Sequence, residues 1–337
     1  MTSFPTRKIG TDQVSAIGYG AMGMAAFYGK IDSDEERVKF LTEVYNRGCT
    51  FWDTADVYKD SEEVIGRWFK ETGKRKEIFL ATKFGIASPH KRGVDGRPEY
   101  VPEACERSLK RLGVDQIDLY YLHRPDPTVP IEKSVAAMAE LVKAGKVRYL
   151  GLSEVSAETL RRAHAVHPIA AVQVEFSPFT LDITDEKIGL LKAARELGVA
   201  IVAYSPLGRG LLTGQYKSPD DFEEGDFRRT VPRYSKENFP KILTLVDELK
   251  KIGAKYNATS GQVALAWLLA QGDDVLPIPG TKKIKYLEEN LAAVKLKLSE
   301  EDVDAITRVA QASDVKEGGT RYPPGMAEML FADTPAL

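Results

Sequence analysis

Four residues of this chain combine the properties needed to hand a proton to an oxygen atom: Asp53, Tyr58, Lys83 and His123. Three of them close short apolar runs. Asp53 ends TFWD at 50–53, Lys83 ends IFLATK at 78–83, and His123 ends IDLYYLH at 117–123. Tyr58 follows shortly after Asp53, in DTADVYKD. Free tyrosine, with a pKa of about 10, is a poor acid at neutral pH. A lysine ammonium nearby favours the tyrosinate and lowers that value. Asp53 beside Lys83 would keep the lysine charged and in place, and His123 could orient the oxygen that receives the proton. A general acid of this kind contributes roughly 10²–10⁴ in rate. Singly, each residue has a plainer reading. Lys83 could be a loop residue, Asp53 a helix N-cap, His123 (before Arg124 and Pro125) a turn residue, and Tyr58 rim packing. Their joint placement at successive run ends favours one site.

The runs belong to a longer series. Further apolar stretches lie at 17–20, 147–153, 171–174, 199–205 and 275–278. They are short and rich in Val, Ile, Leu, Phe and Tyr, which suits strands buried on both faces of a parallel sheet. Between them are helical patterns: Val38, Leu41 and Tyr45; Ile131, Val135, Met138, Leu141 and Val142; Leu190, Ala193 and Leu197. Gly48, Gly113, Gly145 and Gly198 precede strands, where glycine accepts the left-handed C-cap. Eight strands, each followed by room for a helix, predict a (β/α)₈ TIM barrel, whose active site lies at the C-terminal ends of the strands. A doubly wound sheet is the rival, because GYGAMG at 18–23 has G-x-G-x-x-G spacing. No helical pattern follows it directly, and the motif alone is weak. Residues 5–15 read as an N-terminal β-hairpin under the barrel, and 215–237 as a long charged loop on its C-terminal face. Two extra helices are expected beyond the barrel's eight. The chain reads as one domain over 1–337, with the barrel at about 17–295 and a C-terminal helix and tail at 299–337.

Composition narrows the function class. The 337 residues are 43% hydrophobic and 28% charged, with a formal net charge of −2, which leaves no electrostatic footprint for nucleic acid or an anionic membrane. No apolar stretch approaches a membrane span of about 20 residues, and MTSFPTRKIG is no secretory signal. Two isolated cysteines, Cys49 and Cys105, argue against a disulfide framework, and the four histidines form no metal-ligand spacing with them. A cytoplasmic protein is expected, monomeric or weakly homo-oligomeric.

Taken in order, DTADVY, ATKFG, DLYYLHRPD, GLSE, VQVEFSP, AYSPLGRGLLTG and PIPGTKK…EEN resemble the aldo-keto reductase family from Gly20 to about Asn290. GLSE, GDFRR and RYPPG make the chain similar to its fungal and bacterial branch of broad-range aldehyde and ketone reductases, the pyridoxal-reductase-like enzymes among them. The resemblance implies a (β/α)₈ barrel and NADPH-dependent carbonyl reduction, with Asp53, Tyr58, Lys83 and His123 as the catalytic quartet. It further implies that Ser153, Glu154 and Gln173 hold the nicotinamide carboxamide and that Tyr204 stacks on the ring. The stretch 205–211 (Ser205, Pro206, Leu207, Gly208, Arg209, Gly210 and Leu211) would wrap the pyrophosphate; Glu289 and Asn290 would meet the adenine. Two residues depart from the family pattern. Glu154 stands where many members carry Asn, and a carboxylate cannot donate; Tyr286 stands where many carry Arg.

The stretch Pro279, Gly280, Thr281, Lys282, Lys283 makes a separate case. Cations at a helix N-terminus oppose the macrodipole, so their clustering suits a bound anion. The 2′-phosphate of NADPH fits, with Thr281 and Lys282 as donors and Lys285 adding charge. Substrate contacts are expected from Met24, Phe27 and Phe84, with Met22, Phe179, Tyr322 and Met326 further candidates. An apolar mouth suits small carbonyl compounds, and the loop bearing Arg228, Arg229 and Arg233 could close over the cofactor. Two rival functions remain open: a Schiff-base lyase using Lys83, and a cofactor-binding regulatory subunit with little turnover, as among the potassium-channel β-subunit relatives.

Overall fold

The apolar runs form the staves of a barrel. In the computed structural model, which describes residues 4–25, 31–313, 319–323 and 325–337, a hairpin of β1 (Thr6–Ile9) and β2 (Asp12–Ser15) comes first. Eight parallel strands follow: β3 (Tyr19–Gly20), β4 (Phe51–Asp53), β5 (Phe79–Phe84), β6 (Ile117–Leu122), β7 (Val147–Ser153), β8 (Ile169–Glu175), β9 (Ala200–Tyr204) and β10 (Val275–Pro277). Each pairs with the next in chain order. The circle closes through the backbone, where Gly18 N–H donates to Pro277 O at 2.9 Å and Gly20 N–H to Pro279 O at 3.3 Å. Glycine is needed at this seam. A Cβ on Gly20 would stand 2.7 Å from the Ile278 carbonyl oxygen, and one on Gly280 2.8 Å from that of Gly20. The doubly wound alternative is thereby set aside; GYGAMG is part of a barrel seam.

Helices cover the outside: α1 (Met22–Ala25), α2 (Asp34–Asn46), α3 (Ser61–Thr72), α4 (Tyr100–Leu112), α5 (Ile131–Lys143), α6 (Ala157–Val166), α7 (Leu190–Glu196), α8 (Phe239–Tyr256), α9 (Ser260–Ala270), α10 (Ile284–Ala292) and α11 (Glu300–Ala312). Local sequence sets their limits. Ser33 and Glu36 form a reciprocal capping box at the start of α2, as Thr259 and Gln262 do for α9. Gly48, Gly113, Gly145 and Gly198 all have left-handed φ. Besides the four-residue turn α1, which precedes α2 between β3 and β4, the extra helices are α8, inserted before α9, and α11, beyond the last barrel unit. Among the described residues no helix is long and apolar enough to cross a membrane.

Strand alternation then divides the side chains. Outward residues such as Trp52, Leu80 and Tyr120 pack against the helices; Trp52 meets Trp68 of α3 at 4.6 Å between ring centroids. Inward residues fill the barrel with a second apolar cluster that includes Phe51, Ala81, Leu119, Tyr121 and Val202. Ile9 and Val14 of the hairpin join it from below, so the floor is sealed. Asp53 and Lys83 have the same parity as Phe51 and Ala81, one step higher, and so come to the mouth. Both cysteines are buried and free.

Candidate active site

Lys83 is fully buried, and its ammonium donates to Asp53 Oδ1 at 2.5 Å and to the Thr54 carbonyl at 2.7 Å. Gln173 on β8 donates to the other Asp53 oxygen, also at 2.7 Å. Tyr58 hangs over this pair on a tight turn, held by Tyr58 N–H to Ala55 O and Ser61 N–H to Tyr58 O. The Lys83 nitrogen lies 5.0 Å from the Tyr58 ring centre, and His123 meets the same ring edge-on at 5.9 Å. The four residues therefore share one place.

Their electrostatics differ in one respect from the simple expectation. Burial raises the Tyr58 pKa, and this outweighs the pull of Lys83 in the opposite direction. Lys83 thus acts with the expected sign, but on a phenol that burial keeps protonated. Burial also works against the Lys83 ammonium, yet Asp53 and Tyr58 more than compensate and hold the lysine charged. Burial, Lys83 and Arg124 together depress His123 well below the usual imidazole range, so it is neutral. Its buried Nδ1 has no protein partner among the described residues. Behind the quartet lies Asp56, whose carboxyl oxygens are buried without a hydrogen bond, the Arg107 guanidinium being 3.6 Å away. Burial pushes Asp56 up to about 7.

The site opens into a cavity of about 520 Å³, lined by Asp53, Tyr58, His123 and Gln173 at one end and by Thr281, Lys282, Glu289 and Asn290 at the other. Tyr204, Ser205, Pro206, Leu207, Gly210, Pro279 and Gly280 form the wall between them. Gly208, Arg209 and Gly210 have successive φ values of 56°, 55° and 91°, a run of left-handed backbone of the kind that turns N–H groups toward an anion. Lys282 and Lys283 stand just before α10. With Lys282, Lys283 and the left-handed 209–210 backbone on one part of its wall and polar groups around Tyr58 on another, the cavity suits a phosphate-bearing cofactor.

Other expected contacts are placed elsewhere. Ser153 is buried off the cavity wall and accepts from Arg124 at 3.1 Å. Glu154 is also buried and off the wall. Its carboxylate accepts from Tyr204 at 2.8 Å and from Arg321 at 3.2 Å through each oxygen. The residue that departs from the family pattern is therefore bonded to the C-terminal tail. Gly208 and Leu211 are buried outside the lining, and Lys285 points to solvent. Tyr286 does line the cavity, and Gln215 of the long loop donates to its hydroxyl at 3.0 Å.

Among the substrate candidates, Met22, Tyr322 and Met326 line the cavity. Phe84 does not. It follows inward Lys83, so it points outward and stacks on Tyr120 at 4.9 Å. Met24 is buried in the helix layer, and Phe179 stacks on Tyr234 at 6.0 Å; neither reaches the wall. Phe27 lies outside the described residues. The long loop is docked: Arg228 pairs with Asp226 and donates to the Arg209 carbonyl at 3.0 Å, between the rings of Tyr216 and Phe222. Arg229 donates to the Phe222 carbonyl and Arg233 to Thr180, so only Arg228 of the three faces the cavity.

Arg124 is a wall residue that sequence reasoning passed over, whereas Arg209 lies within the 205–211 stretch and lines the wall too. For Arg124 a signal existed, since it directly follows the strand-end His123.

Comparison with known proteins agrees with this geometry. The sequence model described as "Aldo/keto reductase family" matches residues 16–311. Aldo-keto reductase str7 of Strobilurus tenacellus is 65% identical over 316 residues, covering 92% of this chain and 93% of that one. Aldo-keto reductase yakc of Schizosaccharomyces pombe, whose name carries NADP(+), is 56% identical over 340 residues and 99% of each chain. The solved glycerol dehydrogenase of Gluconobacter oxydans superposes with a TM-score of 0.82 at 30% identity, over 93% of this chain and 97% of that one. Barrel, cavity and relatives agree: the chain belongs to the aldo/keto reductase family of oxidoreductases.

Proposed function

We propose that this enzyme reduces aldehydes or ketones to alcohols with NADPH, with Tyr58 as the proton donor. The observation that carries the reading is the meeting of Tyr58 and His123 above the buried Lys83–Asp53 pair, at one end of a cavity whose other end is basic. The NADP(+) in the name of the S. pombe relative supports the choice of cofactor. When bound, that cofactor supplies a hydride to the carbonyl carbon.

The chain's own residues supply the rest. Tyr58 donates its proton to the carbonyl oxygen as negative charge develops there. Lys83 stabilises the tyrosinate left behind, and Asp53 holds Lys83 charged and aimed. Neutral His123 can donate a hydrogen bond to the same oxygen without competing for the proton. Gln173 braces Asp53 and presents its amide to the cavity. At the far end Thr281, Lys282 and Lys283 would hold phosphate, and the 205–211 backbone would cradle the pyrophosphate.

The Schiff-base alternative is disfavoured by the state of Lys83, since an ammonium bonded to a carboxylate has no lone pair for attack on a carbonyl. A non-catalytic regulatory role would give this geometry no use. The test is loss of NADPH absorbance across a carbonyl panel, with Tyr58→Phe as control. A drop of about 10²–10⁴ in kcat with NADPH binding retained is expected for the variant. Full activity without the hydroxyl would sink the mechanism.

A further inference from the structure

Arg124 is a charged wall residue that the chemistry above leaves without a task. It follows His123 at the top of β6, is only 8% exposed, and lines the cavity beside Tyr58. Its Nη1 donates to the His123 carbonyl at 2.7 Å and to Ser153 Oγ at 3.1 Å. Those bonds fix the plane of the guanidinium. Among the described residues no acceptor meets Nε or Nη2, and neither atom is closed off within the protein. No carboxylate of the described residues pairs with Arg124 within 4.0 Å.

Its neighbours are served differently. Arg321 reaches Glu154, Glu175 and Asp182, and Arg209 reaches Glu175. Lys83 has Asp53. Glu154 acts on Arg124 from a distance, but its oxygens are bonded to Arg321 and Tyr204. Buried charges are ordinarily paired, and a guanidinium edge with two open N–H groups matches a planar carboxylate.

We propose that Arg124 is a substrate-binding residue that receives a carboxylate carried by the carbonyl compound, so that the enzyme's substrates are acidic aldehydes or ketones. This rests on the reading of the cavity as a carbonyl-reducing site. The carbonyl oxygen lies between Tyr58 and His123, and the carboxylate lies against the Arg124 edge. The distance between the two groups of the substrate sets which acids fit.

Matched pairs test this. Wild-type kcat/KM is measured for 4-formylbenzoate against 4-formylbenzamide, and for phenylglyoxylate against phenylglyoxylamide. These differ in charge but hardly in shape. The acid is expected to win by tenfold or more in at least one pair. In Arg124→Gln that preference falls to near parity, and in Arg124→Lys part of it survives. Parity or amide preference in both wild-type pairs overturns the proposal, and this arm needs no variant to fold. So does an unchanged preference in Arg124→Gln; a weakened NADPH affinity alongside it would assign Arg124 to the cofactor. Calorimetric binding of 4-(hydroxymethyl)benzoate and its amide to NADP⁺-loaded protein reads the same preference without turnover. Absence of any reduction would defeat the proposed function, while this binding arm would still decide the role of Arg124.

Discussion

Gln173 and Asp53 are joined amide to carboxylate at 2.7 Å, which ties a residue of the cavity wall to the buried Lys83–Asp53 pair. The Gln173 carbonyl oxygen is the side chain's one acceptor, the atom that would meet the carboxamide NH₂ of the proposed cofactor. Gln173→Leu is expected to weaken NADPH binding and also lower kcat, because one Asp53 oxygen loses its buried donor at a cost of about 1–3 kcal/mol. Fluorescence titration with NADPH and steady-state kinetics read the two effects separately. A change in affinity alone would deny the link to Asp53.

The pH profile follows from Tyr58 and Lys83. With Tyr58 as the proposed proton donor, reduction requires its protonated form, so the rate should fall as pH rises through the Tyr58 pKa. Burial holds that value up, and Lys83 moves it down. Lys83→Met should therefore shift the alkaline limb to higher pH while lowering the maximal rate. Breaking a buried pair costs about 3–5 kcal/mol, so the Asp53→Asn/Lys83→Met double variant is the folding control. An unshifted limb would mean that another group controls the profile.

At the other end of the cavity, Lys282→Met is expected to raise the Kd for NADPH about tenfold or more, as loss of a charge-assisted phosphate contact does. The Kd for NADH should change little. Equal effects on both cofactors would move the 2′-phosphate away from Lys282.

Asp56 makes a prediction about stability. Its folded pKa is about 7, against about 3.9 for an unfolded aspartate. Between those values the folded state holds the extra proton, so this group's contribution is complete below about pH 4 and is lost as pH rises through 7. Asp56→Asn, which cannot ionise, should raise the melting temperature relative to wild type at pH 8 and much less at pH 5. A gain independent of pH would show that the carboxyl does not titrate there.

How far these features were legible in the sequence depends on the distance over which each is decided. The strands were readable because each is a local apolar run, and Asp53, Lys83 and His123 because barrel geometry puts run ends at the mouth. The outward turn of Phe84 was also readable in principle. Once Lys83 points inward, its neighbour cannot, so placing Phe84 at the substrate was a parity error. Glu154 is different. Its partner, Arg321, lies 167 positions away in a tail without helical or strand periodicity, and nothing local in GLSE indicates it. The net pKa of Tyr58 was equally hidden, because it depends on how completely the cavity walls exclude water. Composition reports nothing of that.

The tail has a consequence for how the enzyme comes into being. Arg321 is clamped to Glu154, the Tyr322 hydroxyl meets that of Tyr204 at 3.1 Å, and Ala332 N–H donates to the Glu154 carbonyl at 3.2 Å. Part of the cavity wall, Tyr322 and Met326, is thus made long after Asp53, Tyr58, Lys83 and His123. A nascent or prematurely terminated chain can carry the whole quartet and still have an open pocket, so the wall is completed only once residues 321–332 have been made.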